Sequence, residues 1–103
     1  MRKAEVLFHG IRAGVLEEVE PRTRYRFSYD PAYGGPPISL TLPITDELFE
    51  FDRFPPFFDG LLPEGPQLEG LLRINKIDRD DLFSQLVAVG ADLVGAATVR
   101  DMP

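Results

Sequence analysis

Apolar and polar residues alternate most cleanly in "RTRYRFSYD", where Tyr25, Phe27 and Tyr29 fall on one side and Arg24, Arg26 and Ser28 on the other. That period of two predicts a strand with one buried face. Upstream, "AEVLFHGIRAGVLEE" reads as two strands around a turn at His9-Gly10. Glycine supplies the positive φ of a tight hairpin, and Val6, Phe8, Ile11 and Val15 supply β-forming apolar positions. "DPAYGGPP" breaks the pattern, because its prolines and glycines cannot continue a ladder. "ISLTLP" alternates again, which predicts a further strand with Ile38, Leu40 and Leu42 inward and Pro43 as its stop.

The second half changes period. In "PQLEGLLRIN", Leu68, Leu71 and Leu72 recur at helical spacing and Pro66 suits a first helical turn. Gly70 weakens that helix by about 1 kcal/mol relative to alanine, so it should be short and held by packing. "DRDDLFSQLVAVG" predicts a better helix, with Asp78 or Asp80 as cap, Gly90 as stop, and Leu82, Phe83, Leu86 and Val87 as the buried stripe. "GAATVRD" returns to extended chain able to close the sheet. These elements predict an α+β fold: a small antiparallel β-sheet covered on one face by two to three short helices, with residues 1–103 as one domain. Tyr25, Phe27, Leu40, Leu42, Leu72, Leu82, Phe83 and Leu86 are the expected core.

Between sheet and helices lies "FPPFFDGLLPEGPQ", where large apolar pairs sit among helix-breaking residues. Pro55 and Pro56 fix an extended entry, Phe57 to Leu62 allows one helical turn, and Gly60, Pro63 and Gly65 shape a bend. Phe57, Phe58 and Leu61 are expected to lock this connector onto the core. Leu62, Pro63, Glu64, Gly65 and Pro66 are then the candidate partner-binding bend, since rigid loops on a packed scaffold often carry recognition. The rival reading is that the bend only finishes a helix and another face does the binding.

Charge and chemistry narrow the function. The formal charge of −6 repels phosphate backbones, so direct nucleic-acid binding is not expected. The absence of cysteine removes disulfides, thiolate catalysis and zinc–thiolate sites. The start "MRKAEVLFHG" lacks the apolar run of a signal peptide and no stretch reaches membrane-spanning length, so the expected compartment is the cytoplasm, with no membrane partner. His9, the single histidine, is placed at a turn with no orienting partner for general-base work. Asp78, Asp80 and Asp81 lack the central glycine and closing glutamate of a calcium loop, and helix capping accounts for them without a metal. No nucleophile elbow surrounds Ser28, Ser39 or Ser84. Glu17, Glu18 and Glu20 read as a solvated strand edge, and Gly34-Gly35 opens no helix that would cradle phosphate. No catalytic residue, metal site or cofactor is therefore expected, which favours a binding or structural role.

Three stretches in order, "ISLTLP", "FPPFFDGLLPEG" and "DLFSQLVAVGADLVGAATV", resemble the N-terminal subdomain of the HipA family of serine/threonine kinases. There a P-[IL]-S-L-[ST]-L-P segment precedes F-F-[DE]-[GN]-L-L-P-[DE]-[GS], and a glycine- and acid-containing motif closes the subdomain. The resemblance implies a non-kinase, because the family's nucleotide-binding lysine and its catalytic and metal-binding aspartates lie in later sequence. Phosphoryl transfer needs those groups assembled together. A free-standing copy of the subdomain is similar to the HipS subunits of three-part HipBST toxin–antitoxin systems. There the kinase, HipT, lacks the subdomain, and a separate HipB binds DNA. The implied role is an antitoxin-like subunit that binds and neutralises a HipT-like kinase, with a HipB-like protein in a ternary complex. The alternative is the N-terminal structural subdomain of a longer HipA-type kinase. A small independent enzyme is a third class, resting only on acidic loop residues.

Overall fold

The computed structural model describes residues 1–93 and 95–102. Val94, within the third family motif, lies outside the described residues. Five strands form one antiparallel sheet: β1 (Arg2–Phe8), β2 (Ile11–Glu20), β3 (Arg24–Tyr29), β4 (Phe49–Phe51) and β5 (Ala97–Met102). Their order is β4-β3-β2-β1-β5, so the last strand returns beside the first. Among the described residues, three helices, α1 (Pro56–Asp59), α2 (Gly65–Asn75) and α3 (Leu82–Val89), and a 3₁₀ turn at Gly90–Asp92 accompany the sheet.

The β1–β2 hairpin turns at His9 and Gly10, whose φ values of 51° and 79° are the paired positive angles of the tight turn that matches sheet twist. Tyr25, Phe27 and Tyr29 are all buried on one face of β3, as the alternation requires. Phe27 sits at the centre, 5.0 Å from the Tyr29 ring and 5.9 Å from the Phe58 ring. Gly14 on β2 makes room for it: a Cβ there would come within 2.2 Å of the Ser28 carbonyl oxygen and 2.9 Å of the Phe27 ring. Phe58 from α1 and Phe83 and Leu86 from α3 close the core over Ala4, Val6, Leu16 and Val99. The opposite face is charged, with Glu5 held by Arg12 and Arg100 at 3.2 and 2.5 Å and Glu17 by Arg26 at 3.2 Å.

Three expectations change. "ISLTL" is not a strand but a tight turn, closed by Leu42 N–H donating to the Ser39 carbonyl at 3.1 Å. The Tyr29 hydroxyl ties both ends, accepting from Ile38 N–H at 3.1 Å and donating to the Leu42 carbonyl. Burial pushes the Tyr29 phenol above its ordinary pKa, so the hydroxyl keeps the proton that it donates. Ile38 and Leu42 point inward as expected, but Leu40 stands at the apex, 101% exposed. Its place beside β3 is taken by β4, three residues too short to stand out by periodicity.

The second change concerns α2. This helix buries none of its residues, and among the described residues its leucines neither belong to the core nor pack against it. Leu72 is accordingly half-buried, as is Leu82 at the start of α3. The sheet is covered by α3 and the single turn of α1, with α2 outside them.

Third, Glu17 and Glu18 are not at an exposed edge. β2 is an interior strand, and both carboxylates are buried under Arg26 and Arg2. Arg2 makes two bonds to Glu18, at 2.7 and 2.8 Å, and reaches Asp81 at 2.9 Å and the Ser84 hydroxyl at 2.7 Å while lying 4.8 Å from the Phe83 ring centre. This clamp joins the start of β1 and the end of β2 to the first turn of α3. Asp81, rather than Asp78 or Asp80, caps α3, accepting from Ser84 N–H at 3.2 Å. Asp78 and Asp80 instead each meet Arg22 at 3.1 Å.

Candidate protein-docking site

The connector folds as its composition dictates. Pro56 begins α1 at the position where a missing N–H costs no hydrogen bond. The turn continues past α1, with Leu61 N–H donating to the Phe58 carbonyl and Leu62 N–H to that of Asp59, both at 3.1 Å. Phe58 is fully buried, and Phe57, Leu61 and Leu62 are half-buried against the core. Leu62 therefore serves the packing side of the connector as well as the bend.

From there the chain turns outward. Pro63 is half-buried, while Glu64, Gly65 and Pro66 are exposed. Gly65 has φ +59°, a left-handed conformation that side chains rarely adopt, and no atom lies within 4 Å of where its Cβ would be. Backbone geometry, not crowding, demands glycine here. Glu64 occupies the cap position of α2 but its side chain makes no capping bond, which leaves the carboxylate facing solvent. Pro66 in the first turn stiffens the exit without removing a hydrogen bond.

The bend is one wall of an open groove of about 590 Å³ that continues along α2. Leu62, Pro63, Pro66, Leu71 and Ile74 line it together with Val89 at the end of α3 and Leu93 beyond the 3₁₀ turn. Ile74 is 79% exposed. The structure thus brings Leu62, Pro63 and Pro66 of the expected bend into one apolar cleft, whereas Glu64 and Gly65 do not line it. The α2 face of the cleft was expected in the core, and its role as a wall was not foreseen. Its signal was present in Gly70: a helix weakened in its middle and started by proline is held only by what packs on it.

The 3₁₀ turn that leads to Leu93 is fixed to the sheet by Gly90. Its φ of −53° is ordinary for a helix, so it does not end α3 by a left-handed cap. Glycine is required by contact, because a Cβ would lie 1.8 Å from the Val99 carbonyl oxygen.

The remaining chemical candidates stay apart. His9 is exposed at the hairpin turn, in edge contact with Phe8 at 4.7 Å. Ser84 is engaged by Asp81 and Arg2, and Ser39 by Thr41. Among the described residues, no three His, Cys, Asp or Glu side chains gather as a metal-holding group. No helix of the described residues is long and apolar enough to cross a membrane.

Comparison with known proteins agrees with this architecture. Among solved structures, the N-terminal domain of HipA toxin is similar to this chain with a TM-score of 0.76 and 32% identity, covering 100% of this chain and 94% of that one. An uncharacterized protein of Haemophilus influenzae (strain KW20 / Rd) is 33% identical over 101 residues, spanning 98% of this chain and 93% of that protein. The sequence profile of the HipA N-terminal domain matches residues 4–100. The chain belongs to the HipA N-terminal domain family.

Proposed function

We propose that this chain is a HipS-like antitoxin subunit that binds a HipT-like serine/threonine kinase and silences it. The observation that carries the reading is α2: a helix of 11 residues with none buried, whose apolar side opens into a groove shared with a proline-stiffened bend. Such a helix has little stability of its own, and a partner surface completes its packing. Leu62, Pro63 and Pro66 dock against apolar groups of the kinase. Glu64, free of any capping bond, pairs with a basic group there. Because Pro63 and Pro66 hold the bend in shape, little conformational entropy is lost on docking. The chain itself performs no phosphoryl transfer, and DNA contact in the complex comes through a HipB-like protein.

A second reading is favoured by the solved relative, which is itself a toxin's N-terminal domain. In that case the groove meets the kinase core of the same polypeptide. The reading frame after Pro103 separates the two: a stop codon followed by a short HipA-like kinase gene supports the antitoxin, and an unbroken kinase sequence supports the domain. Co-expression with that neighbouring kinase tests the first directly. The antitoxin reading expects a complex that survives size-exclusion chromatography and suppressed kinase activity within it. Full activity in the presence of excess chain would overturn it.

A further inference from the structure

We infer that the occupant of the α2 groove is an α-helix of the partner kinase, seated with a large apolar side chain over Gly70 and a lysine or arginine at Asp92. This rests on the kinase-binding reading and names what that site selects. Gly70 is the middle residue of α2, where glycine weakens a helix relative to alanine. Neither of the usual structural reasons for glycine applies there. Its φ is not positive, and no atom lies within 4 Å of where its Cβ would stand. Gly14 and Gly90 are the contrast, each required by a contact inside the chain. Gly70 instead lines the groove, one helical turn from Pro66 on one side and from Ile74 on the other. The row of side chains is interrupted at Gly70, which leaves a notch open to whatever fills the groove.

The notch sets the geometry of the occupant. The backbone groups of a helix bond within it, so an extended segment finds no ladder to join on α2. Packing must come from side chains. A second helix crosses a first at about 8–10 Å between axes, closest where the residues at the crossing are smallest. Gly70 permits that close crossing, with Pro66 and Ile74 flanking it and Val89 and Leu93 as further apolar contacts. Ile74, 79% exposed in the isolated chain, is covered in the same step.

Charge identifies what accompanies the apolar anchor. Among the described residues, Asp92 is the one ionisable group that lines the groove. It is exposed and lies within ion-pairing distance of no cation among them. A cation on the incoming helix answers it, as complementary charges fix register across an interface. A second copy of the chain answers neither feature. Packing α2 on α2 about a twofold axis at Gly70 would set notch against notch, and the groove-lining side of α2 carries no lysine or arginine for Asp92.

The test uses the whole chain and a HipT-like kinase encoded beside it, with Kd from calorimetry for wild type, Gly70→Ala, Gly70→Leu and Asp92→Lys. Hydrogen-exchange mass spectrometry of each free variant reads α2 separately. Gly70→Ala should slow α2 exchange about fivefold, because alanine favours helix, and yet weaken the complex about tenfold, because its methyl group fills the notch. Gly70→Leu should weaken it at least about hundredfold. Asp92→Lys should weaken it severalfold at low salt and less at high salt. A merely structural glycine predicts the opposite sign, since a firmer helix binds as well or better. Unchanged or tighter binding by Gly70→Ala or by Asp92→Lys would overturn the inference while leaving kinase binding itself intact. A wild-type chain that binds no kinase would overturn both. Dimers that Gly70→Leu disperses in sedimentation equilibrium would assign the groove to a second copy, which also overturns the inference.

Discussion

At Arg2, one guanidinium faces two carboxylates and an aromatic ring, and the charges of Glu18 and Asp81 depend on it. Burial works against ionisation of Glu18, but the Arg2 guanidinium and the Arg22 N–H outweigh it and hold its carboxyl below the usual range. Asp81 is likewise opposed by burial and lowered on balance by Arg2 and by both polar groups of Ser84. Carboxyls with depressed folded pKa values stabilise the fold above their unfolded values, near about 4.3 and 3.9, and that contribution is lost as pH falls through the lower folded values. Arg2→Ala should cost about 1–3 kcal/mol at neutral pH, less than for a fully buried pair because Arg2 is 40% exposed. The variant should also lose less further stability between pH 6 and pH 3 than the wild type, in urea denaturation at each pH. Two leucines supply a contrast. Leu86→Ala should cost on the order of 2–5 kcal/mol, whereas Leu40→Ala should stay within about 0.5 kcal/mol of wild type. A large loss for Leu40→Ala by thermal unfolding would place that side chain in the core after all.

Among the elements, α2 and α3 are similar in amphipathic pattern but unequal in what holds them. α3 places Phe83, Gln85 and Leu86 in the interior, with Gln85 donating to the Asp78 and Arg79 carbonyls at 3.2 and 2.9 Å. α2 has no such anchor. Its amides should exchange with solvent well before those of α3 and β1–β3 in the isolated chain. Equal protection of the two helices in hydrogen-exchange mass spectrometry would contradict the open groove. Gly90→Ala should weaken the same region by forcing the 3₁₀ turn off the Val99 carbonyl. The hairpin, β3, β5 and both long helices were legible from periodicity and turn residues, because each signal is local. "ISLTL" was not, since its alternation fits a strand and only the Tyr29 hydroxyl, nine residues upstream of Ile38, makes it a turn. The Arg2 clamp was hidden for the same reason: its partners lie 16 and 79 positions away. In the candidate site, the rigid bend was legible from Pro63, Gly65 and Pro66. The groove beyond it was not, because helical spacing marks an apolar face without saying what covers it.

Across the whole molecule, a formal charge of −6 disfavours contact with phosphate-rich ligands. Calorimetry should detect no tight ATP binding by the isolated chain, and a gel-shift assay at physiological salt should detect no DNA binding. Tight binding of either ligand would contradict this reading of the acidic surface. In the proposed role, the bend and the α2 groove silence a HipT-like kinase. The most direct measurement titrates the purified chain against such a kinase encoded beside it, as wild type and as Glu64→Lys combined with Pro66→Gly. Circular dichroism and thermal unfolding establish first that the variant keeps its fold. The account predicts that wild type silences the kinase near equimolar ratio and that the variant needs at least about tenfold more. A variant that silences the kinase at wild-type concentrations would show that the bend is architecture and that the inhibitory surface lies elsewhere.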